Sequence, residues 1–148
     1  MLEEIANIRN FLESQRFGVL STAFDNFPHC SLVALAFSED LTQIIFVTSK
    51  STKKFRNIVK NPKISMFLDN RKNSPEDVEK TITICAYGNA KIMETKDELP
   101  IALKKKYLDR HPYLSDFLHA EKSIIILIEI EKFQVVSNFQ DVKEIHIK

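Results

Sequence analysis

Between Phe17 and Ser49 the chain passes through three apolar stretches, FGVLSTA, HCSLVALAF and QIIFVTS, separated only by turn-forming residues at Asp25-Asn26 and Ser38-Glu39-Asp40. Parallel strands need a crossover of roughly a dozen residues or more, so connections this short dictate antiparallel pairing. Doubly wound and other parallel architectures are thereby removed, and hairpins become the unit of construction.

The same texture returns later in the chain. KISMFLD, TITICAYGNAKIME and SIIILIEIEKFQVVSNF read as three further strands, and ILIEIEKF alternates as a half-buried strand does. Gly88 interrupts the second of these. A glycine inside a strand marks a bulge or a close backbone approach, and a bend at a barrel corner is expected there. Asp69 to Lys80, polar but for Val78 and carrying Pro75, is expected to be a loop.

Helical spacing is confined to the flanks of these strands. LEEIANIRNFLES places Ile5, Ile8, Phe11 and Leu12 on one side, and Lys53 to Lys60 places Phe55, Ile58 and Val59 on one side before Asn61-Pro62 stops it. Lys96 to Arg110 is expected to be a longer helix with a stripe of Leu99, Ala102, Leu103 and Tyr107. A short helical turn, YLSDFL, follows His111-Pro112. The pattern predicts a mainly β protein with peripheral α-helices, a six-stranded antiparallel barrel whose closure removes exposed sheet edges. Without an internal repeat or linker, residues 1–148 are expected to form a single domain.

Composition limits the functional classes. The 148 residues, 44% of them hydrophobic, suffice for a core without disulfides or a structural metal. Twenty-one Lys and Arg against twenty Asp and Glu leave a net charge of +1, which supplies no bulk field for nucleic acid or an anionic membrane. No nucleic-acid or membrane partner is expected, and any anion site must be local. The longest apolar run, Ile124 to Ile128, is far below the ~20 residues of a membrane span. Met1 opens a charged amphipathic stretch rather than a signal peptide, so a cytoplasmic location is expected. Cys30 and Cys85 lie far apart with no C-x-x-C, so no metal is expected; their apolar strand neighbours predict buried, inert thiols.

Chemistry concentrates in IFVTSKSTKKFRNIVKNP, where a strand ends in hydroxyl residues and passes directly into a helix with a basic first turn. Thr48, Ser49, Ser51, Thr52, Lys53 and Lys54 fall within seven positions. A helix start carries amides without internal acceptors and about half a positive charge, so it favours an anion and disfavours lysines. Two successive lysines there need a compensating partner, which a phosphate supplies. The alternative is that Thr52 caps the helix and the lysines are solvated. With no G-x-x-x-x-G-K-[ST] and no G-x-G-x-x-G, a nucleoside triphosphate or Rossmann dinucleotide does not fit.

FGVLSTAFDNFPHCSLVALAF, then IIFVTSKSTKKFRNIVKNPKISMFLD, then YGNAKIME, in this order, make the chain similar over nearly its whole length to the flavin-binding split barrels of the pyridoxamine 5′-phosphate oxidase type. The resemblance implies a split barrel that binds FMN at a homodimer interface. It also implies that Thr52, Lys53 and Lys54 hold the flavin phosphate, while Ser31, Leu32, Val33 and Ala34, with Val47, Thr48 and Ser49, run along the ring. In one branch of the family a loop like that at Asp69-Asn70-Arg71 occurs, which implies that Asn70 and Arg71 reach the partner chain's flavin. True pyridoxamine phosphate oxidases end in a Trp- and Arg-rich segment that grips the substrate phosphate. This chain has no Trp and ends in EIHIK, so pyridoxal phosphate synthesis is not expected.

The resulting expectation is an FMN-dependent oxidoreductase with a small-molecule substrate or NAD(P)H as its partner and no assigned catalytic residue. A non-catalytic flavin carrier and a haem-binding or haem-degrading split barrel are the alternatives. His29, at the head of a strand, is a candidate to touch flavin or substrate, or a partly exposed strand-start residue. His111 is expected at a helix end, paired with the dipole. Glu129 and Glu131 are expected on an exposed strand face.

Overall fold

The computed structural model describes residues 2–94 and 98–147. Helix α1 (Leu2–Ser14) precedes strands β1 (Phe17–Phe24), β2 (Phe27–Phe37) and β3 (Gln43–Ser49). Helix α2 (Lys53–Lys60), β4 (Lys63–Asp69), a single helical turn α3 (Asp77–Lys80) and β5 (Thr83–Met93) follow. Then come α4 (Ile101–Arg110), a 3-10 turn (Pro112–Leu114), α5 (Ser115–His119), β6 (Ser123–Ser137) and β7 (Asp141–His146).

All pairings are antiparallel, in the order β3-β2-β1-β4-β5-β6-β7, and β3 also pairs with β6. That last ladder, Gln43↔Glu129 through Ser49↔Ser123, closes β1 to β6 into the six-stranded barrel that the sequence predicts. The first hairpin turns on Asp25 and Asn26, both at positive φ (54° and 63°), the geometry that matches strand twist in a two-residue turn. Gly88 sits where the β5–β6 register shifts: Tyr87 pairs with Lys132 and Gly88 with Ile130, leaving Glu131 as the extra residue of a bulge on β6. A Cβ on Gly88 would stand 2.2 Å from the Glu129 carbonyl oxygen, so close backbone approach is what requires glycine here.

Two apolar clusters share the barrel wall. Leu20, Leu35, Phe46, Met66, Ile84, Ile126, Ile128 and Phe133 fill the interior, with Ile8 and Leu12 of α1 joining them. Outside, Ile45, Ile125 and Leu127 meet Leu103, Tyr107 and Leu118 from α4 and α5. The first half of β6 is therefore buried on both faces, which explains its unbroken apolar run from Ile124 to Ile128.

Four sequence expectations are corrected. The helix expected from Lys96 begins at Ile101, because Pro100 is extended (φ −54°, ψ 129°) and its carbonyl accepts the first amides, those of Leu103 and Lys104. Lys96 itself lies outside the described residues. The Asp69–Lys80 loop contains the turn α3, begun where the Asp77 carboxylate accepts the amides of Lys72 and Ser74. A seventh strand, β7, lies against the second half of β6. Its residues are mostly exposed, so DVKEIH shows no apolar alternation; ladder pairing rather than burial makes it a strand, and its charges suit an edge. Finally, Cys30 is exposed rather than buried, because it points outward on β2 beside Ser21 of β1.

Candidate functional site where the barrel splits

β2 and β3 pair only through Leu35↔Phe46, Ala36↔Ile45 and Phe37↔Ile44. Before Leu35, β2 stays with β1 along Phe27–Ala34, while after Phe46, β3 stays with β6 through Ser49. The two strands part, and the seven strand residues carried over from the resemblance, Ser31 to Ala34 and Val47 to Ser49, lie along the two sides of the opening. The Leu35 amide bonds back to the Arg16 carbonyl (3.2 Å) on the β1 side, so by ladder alternation Ala34 and Leu32 direct their main-chain groups toward the split. Ser31 and Val33 share the inward side with Leu35, whereas Leu32 and Ala34 face out.

Tyr107 stands at the point of divergence. Its hydroxyl donates to the Ala34 carbonyl (3.2 Å) and accepts the Val47 amide, taking the place of the next ladder bond. Burial pushes its pKa up to about 12, so it remains a neutral phenol. Sequence reasoning placed Tyr107 in a packing stripe; the one polar atom in that stripe was its only signal.

At the far side of the opening, the start of α2 is built by hydroxyls. Thr52 is the N-cap, its Oγ1 accepting the Phe55 amide (3.3 Å), and Thr48 Oγ1 lies 3.1 Å from it. Ser49 and Ser51 share a hydroxyl contact of 2.9 Å, and Arg56 donates to the Ser51 carbonyl (2.7 Å). The cap reading of Thr52 thus holds. Along the helix, Asn57 donates to buried Thr22 Oγ1 (3.0 Å) and Asn61 to the Ala23 carbonyl (3.0 Å), docking α2 on the first hairpin.

The two lysines differ in their exposure. Lys54 is half-buried, and burial lowers its pKa. Lys53 is exposed, with its ammonium 5.6 Å from the Phe27 ring centroid. Neither has a carboxylate partner among the described residues, so both cations stand at the positive end of a helix dipole uncompensated by protein. Ser31 Oγ is buried without a hydrogen-bond partner, an orphan on the β2 side of the opening.

The remaining candidates are scattered. Asn70 accepts the Ile82 amide (2.8 Å) and Arg71 pairs with Asp69 (3.3 Å), in a loop at the end of β4 remote from Lys63 and α2. His29 pairs with Thr22 in the β1–β2 ladder and is partly exposed. His111 is at the C-cap of α4, but it is buried and its Nε2 hydrogen bonds with the Leu35 carbonyl (2.8 Å). Burial and the charges of Arg110 and Arg16 hold its pKa below the ordinary histidine value. The expected dipole-paired cation is corrected to a neutral imidazole that donates from Nε2. Glu131 is exposed as expected, while Glu129 is half-buried and paired with Lys91. Among the described residues no cluster of three or more His, Cys, Asp or Glu could hold a metal, and no helix is long and apolar enough to cross a membrane.

Residues 5–137 match the pyridoxamine 5′-phosphate oxidase family model. The chain belongs to this family. No curated protein matches it in sequence. In fold it is similar to a haem binding protein from Mycobacterium smegmatis (TM-score 0.80, 14% identity, 93% of this chain and 55% of that one). It is likewise similar to Campylobacter jejuni ChuZ (0.83, 14%, 99% and 61%) and to general stress protein 26 from Bacillus anthracis (0.65, 23%, 96% and 97%). The chain thus spans little more than half of the first two and nearly all of the third.

Proposed function

We propose that this member of the pyridoxamine 5′-phosphate oxidase family is an FMN-dependent oxidoreductase that holds its flavin in the split, against a second copy of the chain. The carrying observation is the pair Lys53 and Lys54, without a carboxylate partner among the described residues, at the start of α2 and beside parted strand edges. A dianionic phosphate there is favoured by the dipole, by both ammonium groups and by the helix-start amides of Lys53 and Lys54. The hydroxyls of Thr52, Thr48 and Ser49 add neutral hydrogen bonds. Ser31 Oγ, buried and unpartnered, would fit a polar ring edge, and the main chain of Leu32 offers a donor and an acceptor toward the split.

When bound, FMN supplies hydride or electron transfer. The chain's residues bind and orient it; no side chain is asked to act as a covalent catalyst. Outward-facing Leu32, Val19 and Phe67 form an apolar strip across β2, β1 and β4, with Leu32 69% and Phe67 37% exposed. That strip is the face proposed to pair with the second copy and to exclude water from the ring. Asn70 and Arg71 are proposed to approach the partner's flavin, since their loop lies away from α2 of their own chain.

The test is an absorbance and fluorescence scan of the purified protein after adding FMN and removing the excess by gel filtration. About one flavin retained per chain, followed by flavin-dependent oxidation of NADH or NADPH, is the expected result. Retention without turnover converts the reading to a flavin carrier. The haem-binding neighbour from M. smegmatis favours a second reading, tested by a Soret band on adding haem. His111 is buried, which leaves the more accessible His29, His119 and His146 as the histidines to vary.

A further inference from the structure

Beyond the split lies a second cavity, of about 530 Å³, between the start of β1 and the turn after α4. Its walls are Arg16, Phe17, Ala34, His111, Pro112 and Tyr113, with Arg110 and Leu114 completing them. The volume is that of a small-ligand pocket. Ala34 is common to this cavity and to the edge of the split, so an occupant would lie next to the proposed flavin ring.

Two features select the chemistry of that occupant. The first is an unbalanced positive charge. No carboxylate lines the cavity, and Arg16 has no acidic partner among the described residues; one of its donors is used, on the Arg110 carbonyl (2.7 Å). Arg110 is instead committed to Glu13 (3.3 Å) and the Gln15 carbonyl (2.6 Å), and buried His111 is held neutral. The free charge of the cavity therefore belongs to Arg16, whose planar fork matches a carboxylate. The second is bare aromatic surface. Tyr113 is 97% exposed and Phe17 51% exposed, two rings left in water at the rim beside Pro112. Such surface gains by covering a flat apolar body.

We propose that this cavity binds an aromatic carboxylate, its anion on the Arg16 guanidinium and its ring against Tyr113 and Phe17. As the substrate, the ligand's role rests on the flavin reading above; the site itself rests only on the cavity and its charge. It also defines a substrate class that the phosphate site at α2 does not: a single carboxylate on a planar body, rather than a phosphate ester.

The probe is 2-naphthoate, titrated by fluorescence into the full chain with and without FMN, with 2-naphthamide as the uncharged control. Naphthoate is expected to saturate, with the amide weaker by about tenfold, a difference of ~1.4 kcal/mol. Arg16→Gln should weaken naphthoate by a similar factor and leave the amide unchanged. Tyr113→Ala, at a nearly fully exposed side chain, should weaken both ligands without disturbing the fold. On FMN-loaded protein, naphthoate should produce a flavin difference spectrum. Equal binding of acid and amide, or Arg16→Gln and Tyr113→Ala both without effect, overturns the site. Arg16-dependent binding by a protein that retains no FMN upholds the site and removes the flavin reading. Binding to FMN-loaded protein without a difference spectrum overturns the placement beside the ring.

Discussion

Lys53 and Lys54 illustrate how a single position can argue for a ligand. A cation in the first turn of a helix opposes the dipole, and Lys54 is also partly desolvated, so each carries an electrostatic cost that neither recovers from a protein carboxylate. The double variant Lys53→Ala with Lys54→Ala should weaken FMN binding by about 2–4 kcal/mol in a retention or fluorescence titration, with the circular dichroism spectrum unchanged. Unchanged affinity would remove the phosphate from this site. His111 makes an opposite use of charge. Its folded pKa lies below the ordinary 6.5, so the unfolded chain takes up the proton first as pH falls. The stability His111 contributes is complete above 6.5 and is lost as pH drops from there through the lower folded value. Urea midpoints between about pH 5 and 8 should show that decline in the wild type and a flatter profile in His111→Phe. The variant should also be about 1–3 kcal/mol less stable at pH 8, because the Leu35 carbonyl loses its donor.

At the scale of elements, α2 was readable to the residue and α4 was not. The eight residues of α2 run from a hydroxyl cap to the residue before Asn61-Pro62, and both signals are local. The start of α4 turned on whether Pro100 lay within the first turn or capped it, and the extended Pro100 backbone decided for the cap. The parting of β2 and β3 had no local signal at all. Their side chains alternate as in any paired strands, and what separates them is Tyr107, arriving from a helix about sixty residues away in sequence. Tyr107→Phe removes the hydroxyl bridge and leaves the Ala34 carbonyl and Val47 amide without it. A loss of about 1–3 kcal/mol is expected, and amide hydrogen exchange at Val47 should accelerate while the rest of β3 stays protected. Unaltered exchange at Val47 would show that the bridge does not hold the split.

For the whole molecule, the outward apolar strip on β2, β1 and β4 carries the prediction. Leu32, Val19 and Phe67 lie side by side in the ladders and remain partly or largely exposed in a single chain. Covering such side chains is worth about 1.5–3 kcal/mol each at full burial, and an aspartate placed there would make the same contact unfavourable. Sedimentation at micromolar concentration should give two chains for the wild type. Leu32→Asp with Phe67→Asp should give one chain and a marked loss of retained FMN, since the ring site is proposed to need both copies. A wild-type monomer that keeps its flavin would contradict that arrangement.

What the sequence determined by itself was everything set by nearest neighbours along the chain. Turn residues between Phe17 and Ser49 dictated antiparallel strands, Gly88 marked the bulge, and hydroxyls before Lys53 marked the start of α2, because each acts through backbone geometry within a few residues. The tertiary structure alone decided the exposure of Cys30, the neutrality of His111, the existence of β7 and the cavity around Arg16. Each depends on packing between distant segments: the outward face of β2 at Cys30, the burial of the ring beside Arg16 at His111, the ladder of β6 at β7, and the turn after α4 at Arg16. Desolvation and partner geometry are properties of that packing, and no residue encodes them alone.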